Sequence, residues 1–133
     1  MPTTTAPFTP AGLREARAKR RSARPRDLAE SLGVPEAALV AAQIGRDVVR
    51  LDPRPDRLLA RLPALGAVMG LTRNDACVIE HSGRYGTYRQ DQVTGADIRL
   101  EITPAAWAFA FAQTEKGKRS VQIYDAAGDA VHK

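Results

Sequence analysis

At Gly66 the hydrophobic period of this chain changes from 3.6 residues to 2, and that switch constrains the fold more than any other feature of the sequence. Short helical segments lie upstream. Thr9-Pro10 supplies an N-cap and a first-turn proline for a helix running to about residue 22. Pro25 restarts the chain into a helix at 27–32 that Gly33 ends. Pro35 opens another at 36–44, closed by Gly45, and residues 47–51 are β-branched and strand-like. Asp52-Pro53 leads into a last helix at 56–62, stopped by Pro63 and Gly66. Downstream, alternation predicts strands at 66–72, 76–85, 88–92, 97–102, 106–114, 119–124 and 130–133, with a polar turn at Asn74-Asp75. Helices followed by strands define the α+β class: an N-terminal helical cluster packed on an antiparallel β-sheet meander. Residues 1–9 read as a disordered tail and 10–133 as one domain. The last strand runs to Lys133 with nothing after it, which predicts a bare sheet edge and a fold stopped part-way.

Charge is distributed unevenly. Residues 1–26 hold seven basic side chains against one acid, Glu15, so this segment carries +6 and the remainder of the +5 chain sums to −1. A concentrated basic arm attracts nucleic acid or an acidic partner; its plainer meaning is a solvated helix. The apolar stretches are far shorter than the ~20 residues that span a bilayer. The first residues lack the apolar core of a secretory signal, and the single cysteine, Cys77, fits a reducing compartment. A cytoplasmic protein is the expectation.

The chain shows no Gly-rich phosphate loop, metal-ligand spacing or nucleophile elbow, and no carboxylate pair or triad is placed for acid–base or nucleophilic work. An enzyme is therefore not the expectation for this chain alone. Trp107, Phe109 and Phe111 alternate, which predicts one shared strand face, and Cys77 in an apolar alternation predicts a buried thiol.

Four segments occur in an order that resembles the first half of the haemin-degrading factor family, the HemS, ChuS and HmuS haem-utilisation proteins. They are Ala23-Arg24-Pro25-Arg26-Asp27-Leu28-Ala29 with Leu32-Gly33-Val34 and Glu36-Ala37-Ala38-Leu39; Leu62-Pro63-Ala64-Leu65-Gly66 with Thr72-Arg73-Asn74; Asp97-Ile98-Arg99-Leu100 with Ala106-Trp107; and Arg119-Ser120-Val121-Gln122-Ile123-Tyr124-Asp125 with Gly128-Asp129-Ala130-Val131-His132-Lys133. The resemblance covers about residues 23–133. It implies a HemS-like half-domain handling haem (iron protoporphyrin IX) as cargo or substrate, in transport and utilisation and, in some members, ring opening. It also implies that haem sits between two similar halves, that the first half supplies a distal arginine matched here by Arg99, and that the axial histidine lies in the segment after this half. A second copy, or a separate second half, is the implied partner.

The residues themselves leave the iron ligand open among His81, His132, Cys77, Met69, Tyr85, Tyr88 and Tyr124, since imidazole, thiolate, thioether and phenolate all ligate haem iron. His81 is the foremost histidine, and Tyr85 beside Arg84 the foremost phenol. Arg84, Arg89, Lys116, Lys118 and Arg119 are candidate partners for the propionates. Two rival readings remain. In one, residues 26–44 form a helix-turn-helix unit that binds DNA together with the basic arm. In the other, the chain is an interaction half-module that dimerises through its open sheet.

Overall fold

The structure, a computed structural model, describes residues 9–73 and 76–133; most of the expected tail and the expected Asn74-Asp75 turn lie outside the described residues. Three helices come first: α1 (Pro10–Lys19), α2 (Pro25–Leu32) and α3 (Glu36–Ala41). The Thr9 side chain caps α1, accepting from the Gly12 amide at 3.0 Å. Strand β1 (Val48–Leu51) follows, and then α4 (Pro55–Leu58). Helix α4 is only four residues long, because Asp52 turns the chain by accepting from the Arg54 amide, and Pro63 falls inside a separate 3-10 turn, Leu62–Leu65.

The strands are β2 (Ala67–Arg73), β3 (Val78–Arg84), β4 (Thr87–Arg89), β5 (Gln92–Thr94), β6 (Leu100–Glu101), β7 (Phe109–Glu115), β8 (Lys118–Tyr124) and β9 (Ala130–His132). The α+β class and the helical cluster on an antiparallel sheet are as expected, but the strands do not run as one meander. They form a six-stranded sheet in the order β1-β7-β8-β9-β2-β3 and a separate three-stranded sheet, β4-β5-β6. The expected strand at 88–92 is broken because Gln90 and Asp91 both take positive φ, 50° and 61°, and make a tight hairpin between β4 and β5. The last strand is not a bare edge. Strand β9 lies between β8 and β2, and the Leu71 and Lys133 backbones exchange hydrogen bonds of 2.7 and 2.8 Å. The edges are β1 and β3.

The large sheet buries both faces. On one, Ala37 and Val40 of α3 pack with Val48, Phe111, Tyr124 and Ala130. On the other, Ala110 and Ile123 pack with Leu59, Leu62, Tyr85, Val93, Ile98 and Trp107 beneath the small sheet. Trp107 therefore does not share the Phe109–Phe111 face. It ends a 3-10 turn at Pro104–Ala106, outside the regular alternation of β7. Leu13, Leu28, Ala29, Leu39 and Ala42 join the three helices in a third cluster. Helix α3 thus spends its residues on two cores at once, and Glu36, Ala37, Leu39 and Val40 are all buried. In α3 no residue is fully exposed, whereas the recognition helix of a helix-turn-helix unit presents a free face to a groove.

Candidate functional site

The polar residues of this chain separate into two buried networks and one exposed face. The first network centres on Glu36, 4% exposed at the start of α3. Its carboxylate accepts from the Arg73 guanidinium at the end of β2 and, at 2.6 Å, from Lys133 Nζ. The Tyr124 hydroxyl lies 3.4 Å from the same carboxylate and donates at 2.6 Å to Gln122. Burial, with the Glu36 charge second, pushes the Tyr124 phenol well above its usual range. This is an ion triad around a buried carboxylate, with two half-buried cations, tying helix, strand and chain end together. Sequence reasoning missed it, because no local pattern links residues 36, 73 and 133.

The second network holds His132. Its Nδ1 lies 2.7 Å from Thr72 Oγ1, and its Nε2 is hydrogen-bonded to the Tyr85 hydroxyl. Gly70 packs alongside: a Cβ there would lie 2.9 Å from the Tyr85 oxygen and 3.5 Å from the imidazole. Burial pushes the His132 imidazole down to about 4 and the Tyr85 phenol up to about 12. Both ring nitrogens of His132 are engaged, so it offers no lone pair to iron. Tyr85, expected among the haem-binding residues, is instead a core residue: its hydroxyl is committed to His132, and its burial disfavours the phenolate that ferric iron takes.

The other three expected haem-site residues, His81, Arg84 and Arg99, are solvent-exposed. A close crossing positions them. Residues 94–98 lie directly against 83–86, where Ile98 N donates to Arg84 O at 3.0 Å and Arg84 N donates to Asp97 Oδ2 at 2.9 Å. Only glycine permits that approach, since a Cβ at Gly83 would sit 2.4 Å from the Asp97 Cβ, and one at Gly86 would sit 1.9 Å from the Thr94 carbonyl oxygen. Tyr85 and Ile98 bridge at the centre of the crossing and point into the core. Their neighbours Arg84 and Arg99 are left on the outside by alternation. The crossing thus brings two guanidinium-bearing residues, 15 positions apart in sequence, to one part of the surface.

His81 sits opposite Gly70, and Ile79 opposite Thr72, in the β2–β3 ladder. Directly opposed residues project from the same face, so Ile79 and His81 share the face of Thr72 and Gly70. Strand β3 is an open edge that exposes Val78 (53%) and Ile79 (62%), with Met69 exposed on β2. Cys77 is exposed as well, contrary to the expected buried thiol. The same register puts Met69, Val78 and Arg84 on the opposite face of the β2–β3 ladder from Ile79 and His81, so the exposed imidazole and the guanidinium pair flank this edge from two sides. An exposed apolar edge with Arg84 and Arg99 at its end suits an apolar ligand with anionic substituents. Among the described residues, no three His, Cys, Asp or Glu side chains come together to hold a metal ion, and no helix is long and apolar enough to cross a membrane.

Comparison with known proteins matches residues 33–133 to the haemin-degrading HemS.ChuX domain. The chain is 37% identical over 119 residues to the hemin transport protein HmuS of Yersinia pestis, a match that takes in 81% of this chain and 34% of that protein. It superposes on holo-PhuS, a heme-binding protein from Pseudomonas aeruginosa, with a TM-score of 0.80 and 37% identity, covering 93% of this chain and 40% of that one. The heme-binding protein ChuX shares the fold at 16% identity, with a TM-score of 0.69 over 90% of this chain and 81% of its own. The chain belongs to the HemS/ChuX family, and it spans about a third of the length of the curated relative HmuS.

Proposed function

We propose that this HemS/ChuX-family chain binds haem and hands it on within the cytoplasm, supplying the arginine side of a haem site that a second half, or a second copy, completes. The observation that carries this reading is the placement of Arg99 beside Arg84, outside the 83–86/94–98 crossing and next to the open β3 edge. An exposed guanidinium is always charged and offers five donors, enough to hold an iron-bound water or oxygen ligand or a propionate. Val78 and Ile79 on the open edge are the apolar surface that a completing half would cover. Support also comes from the relatives: HmuS transports hemin, PhuS binds heme, and each extends well beyond the matched region.

Arg84, on the same side of the crossing as Arg99, is a propionate partner, and His81 is the exposed imidazole on the other face of β3. The chain's part is to bind and orient. A ferric haem titration of the purified chain, read by the Soret band together with size in solution, tests the reading. Saturable binding at one haem per chain or per dimer, weakened by Arg99→Ala, supports it. A folded chain with no saturable Soret change, alone or with a second copy, overturns it.

A further inference from the structure

The strongest concentration of positive charge lies away from the haem face, where α1, the α3–β1 loop and the β7–β8 hairpin enclose a cavity of about 380 Å3. In the large sheet, β8, β9 and β2 separate this end of β7 from the open β3 edge. Arg14, Arg17, Arg21, Arg46 and Lys116 line the cavity, and its acids are Asp47 and Glu115, an excess of three positive charges. We infer that this cavity binds a small anion carrying two or more phosphate groups.

Two of the guanidinium groups are set in place by the fold. Arg14 Nη1 donates to the Ala42 carbonyl at 2.9 Å, and Arg17 Nη1 donates to the Ala23 carbonyl at 2.5 Å, with its Nη2 3.5 Å from Glu115. Each fork has five N–H donors and keeps others for a ligand. Pre-positioned guanidinium donors pair bidentately with phosphate and lose little entropy in doing so. The side chains of Arg21, Arg46 and Lys116 carry no ion pair among the described residues. Five like charges around one concavity repel each other, and a multiply charged anion relieves that repulsion where the concave walls focus the field. The shape selects a compact ligand over a duplex. The cations surround one concavity rather than lying along an extended stripe, and Glu115 and Asp47 on its wall would oppose a continuous phosphate backbone.

Inorganic pyrophosphate is the probe, titrated into the whole chain at about 0.1 M salt, where charges beyond roughly 10 Å are screened. Calorimetry should give saturable one-to-one binding, and backbone amide NMR shifts should concentrate on α1, residues 43–47 and residues 114–117. The double variant Arg21→Glu/Arg46→Glu changes exposed positions only and should weaken binding about tenfold or more. Arg61→Glu, an equal charge change on an exposed residue outside the cavity, should leave it unaltered. Shifts spread over the basic surface without saturation, or equal losses in both variants, would overturn the inference. So would duplex DNA binding that pyrophosphate does not displace.

Discussion

The chain has two histidines, and they sit on neighbouring strand ladders of one sheet in opposite circumstances. His132 on β9 is an interior group, 4% exposed, with both nitrogens engaged by Thr72 and Tyr85. His81 on β3 is an edge group, exposed, across the ladder from a glycine. The two differ because β9 is flanked on both sides and β3 on one. A strand paired twice must satisfy its polar side chains within the protein, whereas an edge strand can leave them for a ligand or a partner. The interior pays for its histidine in acid stability, and the edge keeps its histidine available for chemistry.

The largest effect expected from breaking the interior side is at Glu36, whose removal leaves Arg73 and Lys133 facing each other without their shared carboxylate. Glu36→Ala should cost about 3–5 kcal/mol, a fall in Tm of order 10 °C. Glu80→Ala on the exposed edge should stay within about 0.5 kcal/mol. Thermal or urea unfolding of the two variants side by side checks the contrast.

His132 comes next. Its imidazole titrates near 4 in the folded chain against an ordinary 6.5, so folding favours the neutral form. The contribution is fully present above pH 6.5 and disappears as the pH falls from there through 4, up to about 3 kcal/mol. Urea midpoints measured between pH 7 and pH 4 should show this acid limb, and His132→Ala should flatten it while costing about 2–4 kcal/mol at neutral pH. His81→Ala should leave the limb in place. If both variants retain the limb, the interior imidazole is not its source.

A smaller test concerns the space beside the network. Gly70→Ala places a methyl 2.9 Å from the Tyr85 hydroxyl and should cost about 1–3 kcal/mol by overpacking, read as a shifted urea midpoint with an unchanged slope. The smallest effect on stability, and the one that sharpens the edge side, belongs to Arg99→Ala and His81→Ala. Both should unfold within about 0.5 kcal/mol of the parent chain while altering the Soret titration. A variant that changes the spectrum only by unfolding would remove its residue from the haem face.

Local chemistry was readable to different depths in different places. The Thr9 cap, the Gly33 helix end and most strand positions follow from turn residues and alternation, and the structure has them, whereas α3 stops at Ala41, short of the end expected at Gly45. The hairpin at Gln90-Asp91 was not readable, since neither residue carries the glycine signal of a two-residue turn. Nor was Trp107's departure from the Phe109–Phe111 face. Alternation assumes that an extended strand continues, and a 3-10 turn interrupts it at residue 106. For the candidate site, Arg84, Arg99 and His81 were legible as residues, through their segment order. That Arg84 and Arg99 emerge on one side was not, because it depends on the close approach of 94–98 to 83–86. Tyr85 illustrates the limit: it lies between exposed-looking neighbours, yet its side chain is interior because its strand crosses Ile98 there.

By itself the sequence determined the α+β class, the switch at Gly66 from helices to strands, the placement of positive charge at the N-terminal end, and the ordered segments that mark the HemS/ChuX family. Tertiary structure alone decided which strands are neighbours, and so which polar groups are interior. A period of two assigns a side chain to a face but says nothing about the strand beyond it. Lys133 reaches Glu36 across 97 positions, and His132 meets Tyr85 across 47. Contacts at such separations arise only when the chain closes on itself, with β9 between β8 and β2.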